Sequence, residues 1–270
     1  MNAPARAAPP RGAKSLPDII SLAFTIYVRN GKQFLLLGLL GAALSVLEFA
    51  LVQWIGTALG LKVLSNIDNA QTSHVSAGPV FLLLSTVILS TALINFLGDA
   101  LVVPAAFDAL LSRRLDFRAI WIMFAASLQS VLLAWIVVGV AATVGIMLVI
   151  AIPLVLFWMV RISLVIQVIV REGLPAMQAL SRSSQLVKGM WWRVCGIQVA
   201  IIFLSALPGI ALRPLSSGID GSAVDYVIVG LSPWLALPFA AIARTVLYAD
   251  VKLRKGEHLD TTSPASGGVR

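Results

Sequence analysis

The sequence predicts an all-α fold, a polytopic transmembrane helical bundle of about six spans arranged as three hairpins, each preceded by an amphipathic interfacial elbow helix. Three observations carry this prediction. Apolar residues make up 59% of the 270-residue chain and charged residues only 12%, too little polar surface to cover a water-soluble fold. Several stretches reach the roughly 20 apolar residues that a helix needs to cross a ~30 Å hydrocarbon core. The basic residues segregate to one side of those stretches.

In chain order, residues 1–15 read as a disordered basic tail, 16–254 as the transmembrane helical domain and 255–270 as a second disordered tail. The first long apolar run begins near Phe34. It is too long for a signal-peptide core and lacks a small-residue cleavage site, so it reads as a retained span. Windows of about 19 residues place spans near 34–57, 79–104, 120–142, 145–170, 194–212 and 225–249. The stretch 119–170 holds one charge, Arg161, and is too long for a single crossing. It is expected to fold back around Gly139 and Gly145, with one long tilted helix plus a partial one as the alternative.

Short basic, amphipathic stretches precede the odd-numbered spans. LPDIISLAFTIYVRNGKQF sets Ser21, Thr25 and Arg29 on one helical face and Ile19, Ala23, Ile26 and Tyr27 towards the other. AFDALLSRRLDFRAIW carries Asp108, Ser112 and Asp116 on its polar face. LPAMQALSRSSQLVKGMWWR spaces Gln178, Ser181, Arg182 and Gln185 at i, i+3, i+4 and i+7. Such spacing suits helices lying in the headgroup region with one stripe towards water. Pro17 and Pro175 suit first helical turns. The first and third copies share a Leu-Pro start and a basic–Gly–aromatic finish. These features point to a repeat about an axis normal to the membrane, the plainer account being that any loop between spans drifts towards this composition.

Of the 20 basic residues, only Lys62 and Arg213 fall on one side, and only Arg161 and Arg244 fall within spans; the other sixteen share the opposite side. By the positive-inside rule that side is cytoplasmic and holds both termini. The net charge of +8 then marks topology and contact with anionic lipid headgroups. Nucleic-acid binding does not fit it. The charge is scattered over separate juxtamembrane pieces without an aromatic platform on which bases could stack.

Four ionisable residues fall inside spans: Glu48, Asp99, Arg161 and Arg244. A lone charge at the bilayer centre costs roughly 2.5–3.5 kcal/mol on insertion scales, so pairing is expected. At ~1.5 Å of rise per residue, Asp99 lies within about 5 Å in depth of both arginines. Glu48, nearer the middle, is expected to meet Arg161 or to sit protonated beside Gln53, Asn95, Gln129 or Gln198. Self-satisfied pairs that fix helix register are favoured over a polar conduit or a headgroup site. Pro104, Pro153, Pro208, Pro233 and Pro238 lie in or at the ends of spans and invite kinks, which line binding sites in transporters but are also ordinary in membrane helices. Trp54, Trp121, Trp191 and Trp192 are placed as interfacial anchors, and Trp158 and Trp234 as packing residues.

No residue set assembles an enzyme active site. Cys195 is the only cysteine, and His74 and His258 fall on opposite sides of the membrane, so no metal or cofactor site is expected. No phosphate-binding loop, dinucleotide glycine run or nucleophile elbow is present. Ser-Arg-Ser-Ser at 181–184 has no base beside it and reads as helix surface.

Arg171-Glu172-Gly173, Ala179-Leu180-Ser181-Arg182-Ser183, Leu186-Val187-Lys188-Gly189 with Trp191-Trp192-Arg193, and the closing Thr245-Val246-Leu247-Tyr248-Ala249-Asp250-Val251-Lys252-Leu253-Arg254 form a pattern over the last third of the chain. It resembles the bacterial membrane-protein group named for the membrane domain of glycerophosphoryl diester phosphodiesterases. The chain departs from it at Lys255-Gly256-Glu257, where Glu is expected before Gly. The soluble barrel with acidic metal ligands and a histidine pair that such a phosphodiesterase needs is missing. The resemblance therefore implies a membrane module of the bacterial inner membrane, with a role in envelope or lipid homeostasis. Arg182, Lys188, Tyr248 and Asp250 would then sit together at the cytoplasmic face, organising an elbow helix or holding a lipid headgroup.

Two functions compete on this reading. One is a non-enzymatic module that scaffolds a protein partner or contacts lipid, which would bury the intramembrane charges as pairs and leave the elbow helices as its exposed surface. The other is a small-solute or lipid transporter, which would open a cavity lined by Glu48, Asp99 and Arg161.

Overall fold

The computed structural model describes residues 14–58, 77–113, 115–147, 152–212, 214 and 222–257. Among them are nine helices and no strand. The expected disordered tails lie largely outside the described residues, but their inner ends are structured. Ser15 caps the first helix, α1 (Leu16–Arg29), through a reciprocal box with Asp18, and Pro17 occupies its first turn. The Ser15 hydrogen bonds hold the Asp18 carboxyl below its ordinary range.

Six helical segments are long and apolar enough to cross a membrane: Gly31–Ala58, Gly78–Leu110, Phe117–Gly145, Pro153–Glu172, Trp191–Leu212 and Gly230–Arg254. Large apolar side chains such as Leu47, Phe203 and Ile210 stand exposed along them, as expected of surfaces solvated by acyl chains. The chain is a multi-pass integral membrane protein.

The first hairpin is α2 (Gly31–Ala58) with α3 (Ala77–Leu110). The second pairs α4 (Phe117–Met147) with a broken fourth span, α5 (Ile152–Ile162) and α6 (Val165–Glu172). The third is α8 (Trp191–Leu212) with α9 (Ser222–Arg254), preceded by the short α7 (Ala176–Val187). The last helix is the hub, packing on α1, α2, α3 and α8. In its most apolar window 78% of residues are buried, against at most 44% in the other spans. Close approach of α2 to α9 depends on small residues: Gly38, Gly41, Ala42 and Ser45 are buried on the facing side. A Cβ at Gly38 would stand 2.7 Å from the Trp234 carbonyl oxygen. Trp234 Nε1 donates to the Leu35 carbonyl at 2.6 Å, locking the same seam.

Three expectations are corrected. Gly139 and Gly145 are not turn residues, because α4 runs through both. Gly139 instead admits Leu89 of α3, whose Cδ2 would lie 2.7 Å from an added Cβ. The connection from α4 to α5 falls outside the described residues. The elbow expected before the third span is absent. Ala105, Ala106, Phe107, Ala109 and Leu110 are buried and prolong α3, and the chain reverses where Ser112 adopts φ 55° and the Arg113 N–H donates to the Asp108 carbonyl at 2.8 Å. The elbow before the fifth span exists as α7, with Pro175 at its N-cap rather than in its first turn. Its apolar stripe is covered by α4, α5 and α6 rather than by lipid headgroups: Ala179, Leu186 and Val187 are fully buried. In the same way α1 buries Ile19, Ala23 and Ile26 on α9.

The fourth span breaks at Ser163 and Leu164, and α7 repairs the break. Ser183 Oγ donates to the Arg161 carbonyl at 3.0 Å and accepts from the Leu164 N–H at 3.3 Å. Ser183 is fully buried, so it is a backbone-satisfying residue and not the helix-surface serine the sequence suggested.

Candidate functional site

Asp99 on α3 and Arg244 on α9 form the expected intramembrane pair. Arg244 Nη1 lies 2.7 Å and 2.6 Å from the two carboxylate oxygens. The alternative Asp99–Arg161 pair does not form. The Arg161 guanidinium lies over the Phe157 ring, 5.6 Å from its centroid, one turn back on α5. No carboxylate among the described residues comes within 4.0 Å of it. Glu48 meets neither Arg161 nor a side-chain amide. Its Oε1 accepts from Ser90 Oγ at 2.7 Å and Thr91 Oγ1 at 2.6 Å, both on α3.

Glu48, Asp99 and Arg244 line open space, whereas Arg161, expected with the two acids on such a wall, does not. Thr91, Asn95 and Asp99 recur every fourth residue on α3 and so share one helical face. That face looks across a cleft at α8. A cavity of about 540 Å³ is lined by Glu48, Thr91, Asn95, Ser205, Ser232 and Arg244, with apolar walls from α2 and α9. A second cavity of about 480 Å³ adjoins it, lined by Asn95, Asp99, Ser163, Cys195, Gln198 and Arg244. Asn95, Ile202 and Arg244 belong to both. Three polar atoms on these walls, Ser205 Oγ, Ser163 Oγ and Gln198 Nε2, are buried without a hydrogen bond. Buried polar groups are ordinarily satisfied, so these three atoms are open to a polar partner in the cleft. Its rim is apolar: Leu156, Val199 and Ile202 line the cavities and are exposed on the lipid-facing side.

At the face where the chain ends meet, two carboxylate-centred networks tie the helices together. Glu172, at the end of α6, accepts from Tyr248 OH at 2.6 Å, from Lys252 Nζ at 3.2 Å and from Arg182 Nε at 3.1 Å. Arg182 also pairs with Glu257. Burial works against the Arg182 charge, but Glu257 and Glu172 outweigh it and raise its pKa. In the second network the Asp250 carboxylate accepts from the Lys14 N–H at 2.7 Å and from Arg193 and Arg254, each at 2.9 Å. Both arginines also donate to the Lys14 carbonyl.

The four residues expected at this face thus divide. Arg182 and Tyr248 meet through Glu172, Asp250 anchors a separate clasp, and Lys188 is exposed at the end of α7. Glu172, Lys252 and Glu257 are partners not expected from the sequence, although Glu172 and Lys252 belong to the juxtamembrane pattern of the last third of the chain. Glu257, the residue out of pattern, reaches Arg182 because Gly256 turns the chain at φ 72°. Among the described residues no group of three or more His, Cys, Asp or Glu converges as a metal site. No protein-family model, curated protein or solved structure matches the chain, and its function is read from its own residues.

Proposed function

We propose that this membrane protein is a non-enzymatic lipid-contact module that receives an amphiphile of the bilayer in the cleft between α3 and α8. The same reading puts it in the bacterial inner membrane, with the two carboxylate networks and both termini cytoplasmic and the basic face on anionic headgroups. The carrying observation is a polar stripe, Thr91, Asn95 and Asp99, behind a lipid-facing rim of Leu156, Val199 and Ile202. A site for a water-soluble ligand needs no such apolar mouth, and a scaffold needs no cleft. The resemblance to the phosphodiesterase membrane-domain group, with its expected role in envelope or lipid homeostasis, is consistent with this reading.

Transport of the same amphiphile is the second reading. It is favoured by the α5–α6 break, whose Ile162 and Ser163 line the second cavity, since discontinuous helices are where transporters build their sites. Lipid retention tests the shared claim. The full chain is purified into nanodiscs of inner-membrane lipid and its retained lipid is quantified by mass spectrometry against Ile202→Trp, which fills the rim shared by both cavities. Loss of retained lipid in the variant is expected; unchanged lipid content would overturn the reading. Lipid movement between leaflets of proteoliposomes would favour transport over static contact.

A further inference from the structure

The charge balance of the cleft identifies what it takes. Glu48, Asp99 and Arg244 are the acidic and basic side chains on the walls of the two cavities. Both Asp99 oxygens are engaged by Arg244, which leaves Glu48 as the acid on these walls without a basic partner. Its partners Ser90 and Thr91 donate hydrogen bonds to Oε1 but carry no charge. No Lys or Arg among the described residues lies within 4.0 Å of its carboxylate. The walls combine apolar side chains, Phe49, Val52, Ile94 and Leu237, with the polar Asn95, Ser205 and Ser232, and the Ser205 hydroxyl has no partner. An uncompensated carboxylate at this depth is costly, and a cation in the cavity would relieve it.

We propose that the cavity among α2, α3, α8 and α9 binds an amphiphilic amine. Its ammonium pairs with Glu48 and donates to Ser205 Oγ, and its apolar body lies on the surrounding walls after entry from the bilayer past Ile202. This rests on the lipid-cleft reading above and adds the sign of the headgroup charge. A carboxylate and a hydroxyl oxygen free to accept suit a protonated amine, which only donates, better than a phosphate, which would meet Glu48 as a like charge.

Three probes of one chain length separate the possibilities: dodecylamine, dodecanol and dodecanoate. Each is titrated calorimetrically into the full chain in nanodiscs, with empty nanodiscs subtracted. Dodecylamine should bind about tenfold more tightly than dodecanol, the part of a close charge pair that survives desolvation, and dodecanoate more weakly than either. Glu48→Gln, which keeps an acceptor for Ser90 and Thr91, should erase the preference for the amine over the alcohol. Equal binding of amine and alcohol to the native chain, or a preference that persists in Glu48→Gln, would overturn the proposal. The comparison of the three probes on the native chain stands even if the variant does not fold. If amine and alcohol bind equally and Ile202→Trp weakens both, the charge selectivity fails and the cleft reading stands. If none of the probes binds, both fail.

Discussion

Replacing Asp99 with Asn keeps the shape of the side chain and removes the charge that holds Arg244. The side chains of Arg244 and Asp99 are only 18% and 8% exposed, and a single guanidinium nitrogen sits 2.6–2.7 Å from both carboxylate oxygens. Breaking a buried pair from one side strands a charge and costs about 3–5 kcal/mol, whereas replacing both partners with apolar groups is often nearly neutral. Arg244 also faces the cleft, where polar neighbours soften the loss, so the low end, about 3 kcal/mol, is expected for Asp99→Asn. Arg244→Met strands Asp99, which is more buried, and should cost about the same or more. The double variant should lose less than the sum of the two. A double-mutant cycle on the full chain, with unfolding in detergent followed by far-ultraviolet circular dichroism, reads this coupling directly. Additive losses, or single losses below about 1 kcal/mol as in a solvated surface pair, would refute the reasoning.

Further expectations follow from the packing. Gly38→Val drives a side chain into the Trp234 carbonyl and the Pro238 ring and should cost about 1–3 kcal/mol; Gly196→Ala, with nothing within 4 Å of its Cβ, should leave the unfolding midpoint unchanged. Ser183→Ala withdraws the hydroxyl that bridges the α5–α6 break and should cost about 1–3 kcal/mol through two under-satisfied backbone groups, seen as faster amide exchange at Leu164. Asp250→Ala removes the acceptor that grips Lys14 and should expose the start of α1 to protease while the spans stay intact, as judged by limited proteolysis and retained helicity.

The number of spans was legible because lipid selects for apolar length, and six segments of the described residues are long and apolar enough to cross, the fourth of them broken at Ser163 and Leu164. Their arrangement was not, because hydropathy measures contact with lipid rather than burial in protein. The hub helix has the lowest hydropathy of the six, 1.3, yet is the most buried. Depth put Asp99 level with Arg244, and opposite charges at one level in hydrocarbon have few other ways to be satisfied, but depth did not separate Arg244 from Arg161. The contacts of Glu48 with Ser90 and Thr91 were not legible because serine and threonine in a span commonly bond their own helix, and helix rotation decides whether they reach a neighbour. Arg161 was assigned to Asp99 on depth, but it lies beside the helix break and stacks on Phe157, a geometry that no periodic reading of the stretch contains. The glycines of α4 looked like a turn because the sequence marks a missing side chain without showing which neighbour, here Leu89, approaches there.

The central claim is that a polar cleft opens inside the membrane between α3 and α8, and site-directed thiol labelling tests it most directly. Cys195 is the only native thiol, so Cys195→Ala provides a silent background. Asn95→Cys in that background, on the wall common to both cavities, should react with a membrane-permeant maleimide and be protected by dodecylamine. Ala100→Cys, five residues further along the same helix and fully buried, should stay unreactive. Equal resistance at the two positions would contradict the cleft and return the buried charges to a purely structural role.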